Sequence, residues 1–239
     1  DRSRRRERRL MESLEAELSR ARGLPVEELA DAIESIGFEC TRCGECCTAE
    51  TTEAGGADPH TATLFPDEAR TLRATASELS GENKEWRDVA RPMPYGVEGE
   101  AEGERSGETF EWAIQTDPCG DCAFYTEADD GTGACTVHED RPLVCRTYPF
   151  SVALGGTSQP MGEAVDREGI VRAHECEGLG RDISREEAET LAETLKERAI
   201  RELEEAIGVR DNYEPRPDTE GVVVHDSEGQ KRPDGTPLG

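Results

Sequence analysis

The sequence is poor in the residues that build a large hydrophobic core. Of its 239 residues, 34% are apolar and only 5% are aromatic, while 34% are charged. A chain of this length has room for one domain with extensions or for two small domains. With so little apolar material, we expect a small core, some unpacked chain and a need for disulfides or metal ions to stabilise the fold.

Lysine is also scarce. Only three of the 28 basic residues are lysines, and 54 acidic residues bring the net charge to −26. Concentrated salt suits such a surface, because screening removes the repulsion among like charges. The composition therefore indicates a halophilic cytoplasm and argues against nucleic-acid binding. The basic run at residues 2–10 is an exception, and we favour a solvated first turn or frayed end over a phosphate-binding arm.

No apolar stretch is long enough to cross a membrane, and no signal-peptide core follows the basic start. We therefore expect a cytoplasmic protein. In a reducing cytoplasm, clustered cysteines indicate metal or redox chemistry more often than disulfides. Two alternatives stay open for the nine cysteines: ordinary buried residues, or disulfides of the kind that some extremophiles form.

Apolar periodicity predicts helices at both ends of the chain. Leucines and isoleucines at helical spacing predict N-terminal helices within residues 1–36. A C-terminal helix is predicted over residues 181–209, where Ser184 and Glu187 have the spacing of a capping box. Its buried stripe is expected at Leu191, Leu195, Ala199 and Leu203.

Between these helices the pattern changes to short strands and turns. A strand is predicted in "TFEWAIQT", where Phe110, Trp112 and Ile114 alternate with polar residues and should share one buried face. Further strands are predicted in "YPFSVAL" and "GIVRAHEC". An exposed, mobile loop rich in Gly and Glu is predicted over residues 96–108, and a largely disordered tail over residues 210–239. The predicted fold class is α+β. Residues 37–180 form a small, irregular, metal-centred cysteine-cluster domain with a few short strands, and helices flank it.

Two stretches have the spacing of a metal knuckle: Cys40-Thr-Arg-Cys43 and Cys119-Gly-Asp-Cys122. Two intervening residues let both thiolates converge on one ion while backbone N–H groups turn toward the sulfurs. Gly44 supplies a permissive backbone after the second ligand. Two such pairs together with five further thiols favour metal ligation.

The adjacent pair Cys46 and Cys47 is harder to explain with a single ion. Cys40, Cys43 and Cys46 match the first three ligands of the ferredoxin-type iron–sulfur run, but the expected Cys-Pro continuation is absent. If this stretch coils, positions 40, 43 and 47 face one way. We therefore interpret Cys47 as a ligand of a second ion or as a free reactive thiol.

A third notable stretch, "HEDRPLVCRTYPF", surrounds Cys145 with fixed positive charge. Arg141 and Arg146 could offset the surplus negative charge of a thiolate site by hydrogen bonding to sulfur. The alternative is that both arginines pair with surface carboxylates. His138 and His174 are candidate nitrogen ligands, although we favour a surface or supporting role for each.

These motifs occur in order and resemble one known family. "CTRCGECC", "CGDCAFYTEADDGTGACTVHEDRPLVCRTYPF" and "CEGLG" are similar to the CxxCxxCC family of zinc- or iron-chelating domains, also called the YkgJ-type cysteine cluster family. The resemblance covers about residues 37–180. It implies an iron–sulfur cluster or zinc as cofactor. It also implies metal ligands at Cys40, Cys43, Cys46, Cys47, Cys119, Cys122, Cys135, Cys145 and Cys176.

Two functions compete at this point. One is an iron–sulfur protein with a redox or transfer role, which would need a protein partner because no nucleotide-, flavin- or S-adenosylmethionine-binding signature is present. The other is a structural zinc module for protein–protein interaction, whose thiolate sites hold together a chain poor in apolar residues. No catalytic residue is predicted, and the sequence does not decide whether the protein is an enzyme.

Overall fold

A computed structural model describes residues 13–51, 56–99, 105–154, 164–166, 168–216 and 220–238. These residues form five α-helices and a set of short strands, so the predicted α+β class is confirmed. In chain order the helices are α1 (Leu14–Gly23), α2 (Val26–Ile36), α3 (Pro66–Ser80), α4 (Leu143–Thr147) and α5 (Arg185–Asn212). None of these helices is long and apolar enough to cross a membrane.

The strands of the described chain are short and belong to several small sheets. In chain order they are β1 (Glu50–Thr51), β2 (Ala57–Asp58), β3 (Thr63–Leu64), β4 (Ala90–Pro92), β5 (Val97–Glu98), β6 (Ser106–Thr109), β7 (Trp112–Ile114), β8 (Tyr125–Glu127), β9 (Gly133–Cys135), β10 (Phe150–Val152), β11 (Ala164–Asp166), β12 (Val171–His174), β13 (Val222–Asp226) and β14 (Gly229–Lys231).

The chain divides into two compact units. The first unit combines Asp1–Thr41 with Cys145–Ile207, and the second combines Arg42–Val144 with Gly208–Gly239. These boundaries do not coincide with the predicted segments, because residues 37–180 contribute to both units. The proposed extent of the cysteine-cluster domain therefore stays a prediction.

The first unit is built on helices α1, α2 and α5 and on the antiparallel sheet β10-β12-β11. Its core includes Leu29, Ile33, Phe150 and Leu195, which are all fully buried. The predicted strands in "YPFSVAL" and "GIVRAHEC" appear as β10 and β12. Helix α5 begins as predicted, since the backbone N–H and hydroxyl of Ser184 both donate to the Glu187 carboxylate.

The second unit carries most of the short strands. The sheet β3-β7-β4 places Trp112 and Ile114 in the interior, as the alternation predicts. Phe110 was expected on the same buried face, but it is 46% exposed. The reason is that β7 begins only at Trp112, so Phe110 lies outside the strand. Strand β7 is central in its sheet, and Ala113 is therefore buried as well. The alternation therefore described a strand longer than the one that forms.

The prediction of a disordered tail is wrong for residues 220–238. Strand β13 pairs in parallel with β6 and antiparallel with β14, within the sheet β14-β13-β6-β5. Asp226 in β13 is buried, where it accepts a hydrogen bond from Trp112 Nε1 at 2.8 Å and pairs with Lys231 Nζ at 2.7 Å. These long-range contacts order a segment whose own composition is polar.

The predicted loop over residues 96–108 includes strands at both ends. Strand β5 and the first part of β6 lie within it and pair with each other. Gly96 and Gly107 permit this pairing, because a Cβ on either would lie 2.4 or 2.3 Å from a carbonyl oxygen of the opposite strand segment. The middle of the predicted loop, residues 100–104, lies outside the described chain.

Candidate metal centre

All nine cysteines lie in the described chain, and none is joined in a disulfide. The two compact units divide them. Cys40, Cys145 and Cys176 belong to the first unit. The second unit contains Cys43, Cys46, Cys47, Cys119, Cys122 and Cys135.

The first cysteine cluster does not form the helix that its spacing allowed. Arg42 has φ +58° and Gly44 has φ +85°, and both values lie in the left-handed region. Only Glu45–Cys47 forms a short 3₁₀ turn. The condition under which positions 40, 43 and 47 would share a helical face is therefore not met. The turn instead places the sulfurs of Cys46 and Cys47 3.9 Å apart.

Backbone hydrogen bonds hold this turn beside the later cysteines of the second unit. The Cys122 N–H donates to the carbonyl of Cys47 at 2.8 Å. The Gly133 N–H, in the strand that carries Cys135, donates to the carbonyl of Arg42 at 2.8 Å. Because both bonds join main-chain atoms, the juxtaposition belongs to the fold and does not depend on side-chain rotamers. Segments distant in sequence thus present their thiols to one region.

Three thiols of this region have raised pKa values. The pKa of Cys46 is raised, first by its hydrogen bond with Cys47 and then by burial and the charge of Cys47. Burial, with smaller contributions from Cys135 and Cys46, raises the pKa of Cys122 to about 11. Burial also raises the pKa of Cys135, whereas the nearby Arg141 guanidinium lowers the pKa of both Cys46 and Cys135. A bound cation would relieve the mutual repulsion of these thiolates.

Backbone donors turn toward these sulfurs in the manner expected of a knuckle. A hydrogen bond from the Phe124 backbone lowers the pKa of Cys122, and one from the Val137 backbone lowers the pKa of Cys135. In both cases the donor lies two residues after the cysteine. Such N–H groups stabilise a thiolate and therefore also the metal–thiolate bond.

In the first unit, Cys40 and Cys176 lie on paired segments. The N–H of Glu39 donates to the carbonyl of Gly178 at 3.0 Å, and Phe38 and Leu179 form an antiparallel bridge. The N–H of Gly178 lies 3.4 Å from the Cys176 sulfur and donates to it. The donor again follows the cysteine by two residues.

Arg198 on helix α5 supports the segment that follows Cys145. Its side chain is buried, and its Nη1 donates to Thr147 Oγ1 at 3.0 Å and to the Phe150 carbonyl at 3.2 Å. Its Nε pairs with Glu202 at 2.7 Å. Sequence reasoning missed this residue. The only available signal was an arginine next to the apolar stripe of α5.

The arginines and histidines singled out in the sequence occupy different environments. Arg141 lies close enough to Cys46 and Cys135 to lower the pKa of both thiols. Arg146 follows Cys145 in helix α4 and is exposed. His138 is exposed beside Glu139, whereas His174 is buried with its Nε2 2.9 Å from Ser151 Oγ.

Comparison with known proteins identifies the family. Residues 39–177, more than half of the chain, match the family model CxxCxxCC, described as "Putative zinc- or iron-chelating domain". The chain belongs to the CxxCxxCC family. No curated protein and no solved structure matches it. Membership supports metal chelation, with zinc or iron as the metal.

The donor set agrees with the metals of the CxxCxxCC family. Thiolates are soft ligands that suit zinc and iron–sulfur clusters and do not suit magnesium or calcium. Within the described residues, no group of three His, Cys, Asp or Glu side chains converges tightly enough to enclose an ion. The close thiols, their backbone donors and Arg141 are nevertheless features that would support a metal–thiolate centre.

Proposed function

We propose that this CxxCxxCC protein carries an iron–sulfur centre and has a redox or transfer role alongside a protein partner. The observation that carries the proposal is the group formed by Cys46, Cys47, Cys122 and Cys135. Two of its sulfurs lie 3.9 Å apart, and the N–H of Cys122 donates to the carbonyl of Cys47 at 2.8 Å. Thiols of raised pKa keep their protons at neutral pH, and a metal ion that displaces those protons would offset the mutual repulsion of the thiolates.

The number and arrangement of the thiols support iron–sulfur over zinc. A closed zinc site uses four ligands, whereas this chain has nine cysteines. Cys40, Cys43 and Cys46 also have the spacing of a ferredoxin-type ligand run. A partner is proposed because the sequence contains no signature for an organic redox or methyl-donor cofactor. The salt-adapted composition supports a cytoplasmic setting, and the strong negative charge argues against a nucleic-acid partner.

The second candidate is a structural zinc module for protein–protein interaction. The second unit favours it, because its strands are only two to five residues long. Strands this short bury little apolar surface, so a metal would contribute much of the folding free energy.

We further propose that all nine cysteines are ligands and that Arg141 and Arg146 offset the charge of the bound centre. Cys145 tests the part of this set that lies in the first unit. We expect Cys145→Ser to lower the metal content of the purified protein and to destabilise its central region, because a serine hydroxyl is a poor ligand for a soft metal. Unchanged metal content in this variant would remove Cys145 from the set.

The experiment that separates the two functions is anaerobic purification in concentrated KCl, followed by metal analysis and visible spectroscopy. The iron–sulfur proposal predicts a brown protein that contains iron and acid-labile sulfide and bleaches on oxidation. A colourless protein with stoichiometric zinc would support the structural module. A protein isolated with neither metal, and unable to take up either after reduction, would contradict both.

A further inference from the structure

Asp121 occupies the third position of the Cys119-Gly-Asp-Cys122 loop, where a knuckle requires no acidic side chain. Its Oδ1 accepts a hydrogen bond from the N–H of Ala49 at 2.7 Å. Ala49 lies two residues after Cys47. The carboxylate in the Cys119–Cys122 loop thus accepts a hydrogen bond from the backbone that follows Cys47.

A second bond runs beside the first. The N–H of Cys122, the residue after Asp121, donates to the carbonyl of Cys47 at 2.8 Å. Gly120 allows this close approach, because a Cβ there would lie 3.2 Å from the Cβ of Ala49 and 3.2 Å from the Cα of Pro59. Two adjacent hydrogen bonds and a close backbone contact therefore hold the two loops in one register.

Asp117 makes the Cys119–Cys122 loop rigid enough to transmit this constraint. Its Oδ1 accepts hydrogen bonds from the N–H of Cys119 at 2.8 Å and from the N–H of Asp121 at 3.0 Å. Its own N–H donates to the carbonyl of Asp121 at 2.8 Å. The orientation of Asp121 is therefore determined inside the loop before the side chain reaches Ala49.

We propose that Asp121 is a positioning residue that sets the separation of Cys47 and Cys122 in the metal centre. The inference rests on the proposed metal-binding function and adds a residue that is not itself a ligand. A carboxylate makes a stronger hydrogen bond to an N–H than a neutral acceptor does. It also adds negative charge near thiolates, which metal binding would not favour, so its benefit lies in the geometry. Residues that support metal ligands in this way typically contribute about 10–100-fold to affinity.

The test is an anaerobic titration of reduced, metal-free protein with Co(II), whose thiolate charge-transfer and ligand-field bands report ligand number and geometry. We expect Asp121→Ala to weaken Co(II) binding by about tenfold or more and to shift these bands. Asp121→Asn keeps an acceptor oxygen at the same position, so it should retain most of the affinity and the wild-type spectrum. Asp129→Ala removes the same charge from an exposed position later in the chain and should behave as the wild type.

A further variant keeps the inference testable if Asp121→Ala does not fold. Asp121→Glu retains the charge but moves the acceptor by one methylene, so the Co(II) spectrum should change while the fold persists. Wild-type affinity and spectrum in both Asp121→Ala and Asp121→Glu would overturn the positioning role while leaving the metal-binding function intact. If the wild type binds neither Co(II) nor, in a parallel reconstitution, iron with sulfide, the proposed function is contradicted, and the role of Asp121 with it.

Discussion

Gly44 occupies a position in the first cysteine cluster that has no room for a side chain. Its φ of +85° is unfavourable for other residues, and a Cβ there would lie 2.2 Å from the hydroxyl oxygen and 2.8 Å from Cζ of Tyr125. We expect Gly44→Ala to destabilise the second unit and to weaken metal binding, because Tyr125 must move and the turn must distort. Chemical denaturation and Co(II) titration measure the two effects.

Gly131 provides a matched control for this substitution. It has nearly the same backbone conformation, φ +82°, but a Cβ added there would have no other atom within 4 Å. Gly131→Ala should therefore lose only the roughly 1–2 kcal/mol that a left-handed conformation costs. A loss of stability in Gly44→Ala no larger than that in Gly131→Ala would show that the contact with Tyr125 is unimportant.

Arg141 permits a test of the charge environment of the thiols. Its guanidinium lowers the pKa of Cys46 and Cys135, so Arg141→Gln should raise both values. Protons would then compete better with the metal, and affinity should fall by about tenfold, with a larger effect at lower pH. Co(II) affinity measured across a pH series checks this expectation.

Arg146→Gln is the natural comparison, since the sequence predicts the same role for Arg146. Arg146 is exposed in α4, directly after Cys145. Equal losses of Co(II) affinity in the two variants would support the role predicted for both arginines. Unchanged Co(II) affinity in both variants would contradict the role proposed for Arg141.

At the scale of elements, helix α5 stabilises the segment after Cys145 through Arg198. Arg198→Met removes the hydrogen bonds to Thr147 and Phe150. It also leaves the carboxylate of Glu202, whose side chain is only 15% exposed, without this partner. We expect a loss of about 3–5 kcal/mol in the free energy of unfolding, as is common when one member of a buried pair is removed. Denaturant titration of the metal-loaded protein measures it.

Two variants on the same helix make this prediction specific. The double variant Arg198→Met/Glu202→Leu should be more stable than Arg198→Met, because no uncompensated charge remains. Arg185→Gln removes an exposed arginine that pairs with Glu189 at 2.7 Å, and it should lose much less stability. Similar losses in the free energy of unfolding for Arg185→Gln and Arg198→Met would contradict the claim that burial makes the Arg198 contacts more stabilising.

How well each element could be predicted depends on where its partners lie in the sequence. Helix α5 was predictable because its apolar period and its capping residues, Ser184 and Glu187, are local signals. Strand β13 was not, because Val222–Asp226 depends on pairing with β6, far earlier in the chain. Local composition cannot reveal such pairing, so an ordered segment was predicted to be disordered.

The residues of the candidate site differ in the same way, since local motifs were predictable and contacts between distant segments were not. Spacing alone identified the thiols as candidate ligands, because two intervening residues let both thiolates bind one ion. Spacing could not reveal that the N–H of Cys122 donates to the carbonyl of Cys47. It also could not reveal the supporting hydrogen bonds of Asp121 and Arg198. The left-handed Arg42 was also unforeseen, and with Gly44 it interrupted the helix that the spacing allowed.

At the scale of the whole molecule, metal ligation should contribute a large part of the stability. Apolar residues make up only 34% of the chain, and many of its strands have two or three residues. None of the nine cysteines is joined in a disulfide, so the proposed metal ligation would supply the cross-links. Folding and metal binding should therefore be coupled, as in other small thiolate-bound domains.

Removal of the metal tests this coupling most directly. The metal-loaded protein would be treated with a strong chelator under argon, and its far-ultraviolet circular dichroism and Tm compared before and after. Chelation should lower the Tm and reduce the ordered structure, and both should recover when zinc or iron with sulfide is restored. A metal-free protein with the same spectrum and the same Tm as the loaded protein would contradict the central role of the thiolate centre.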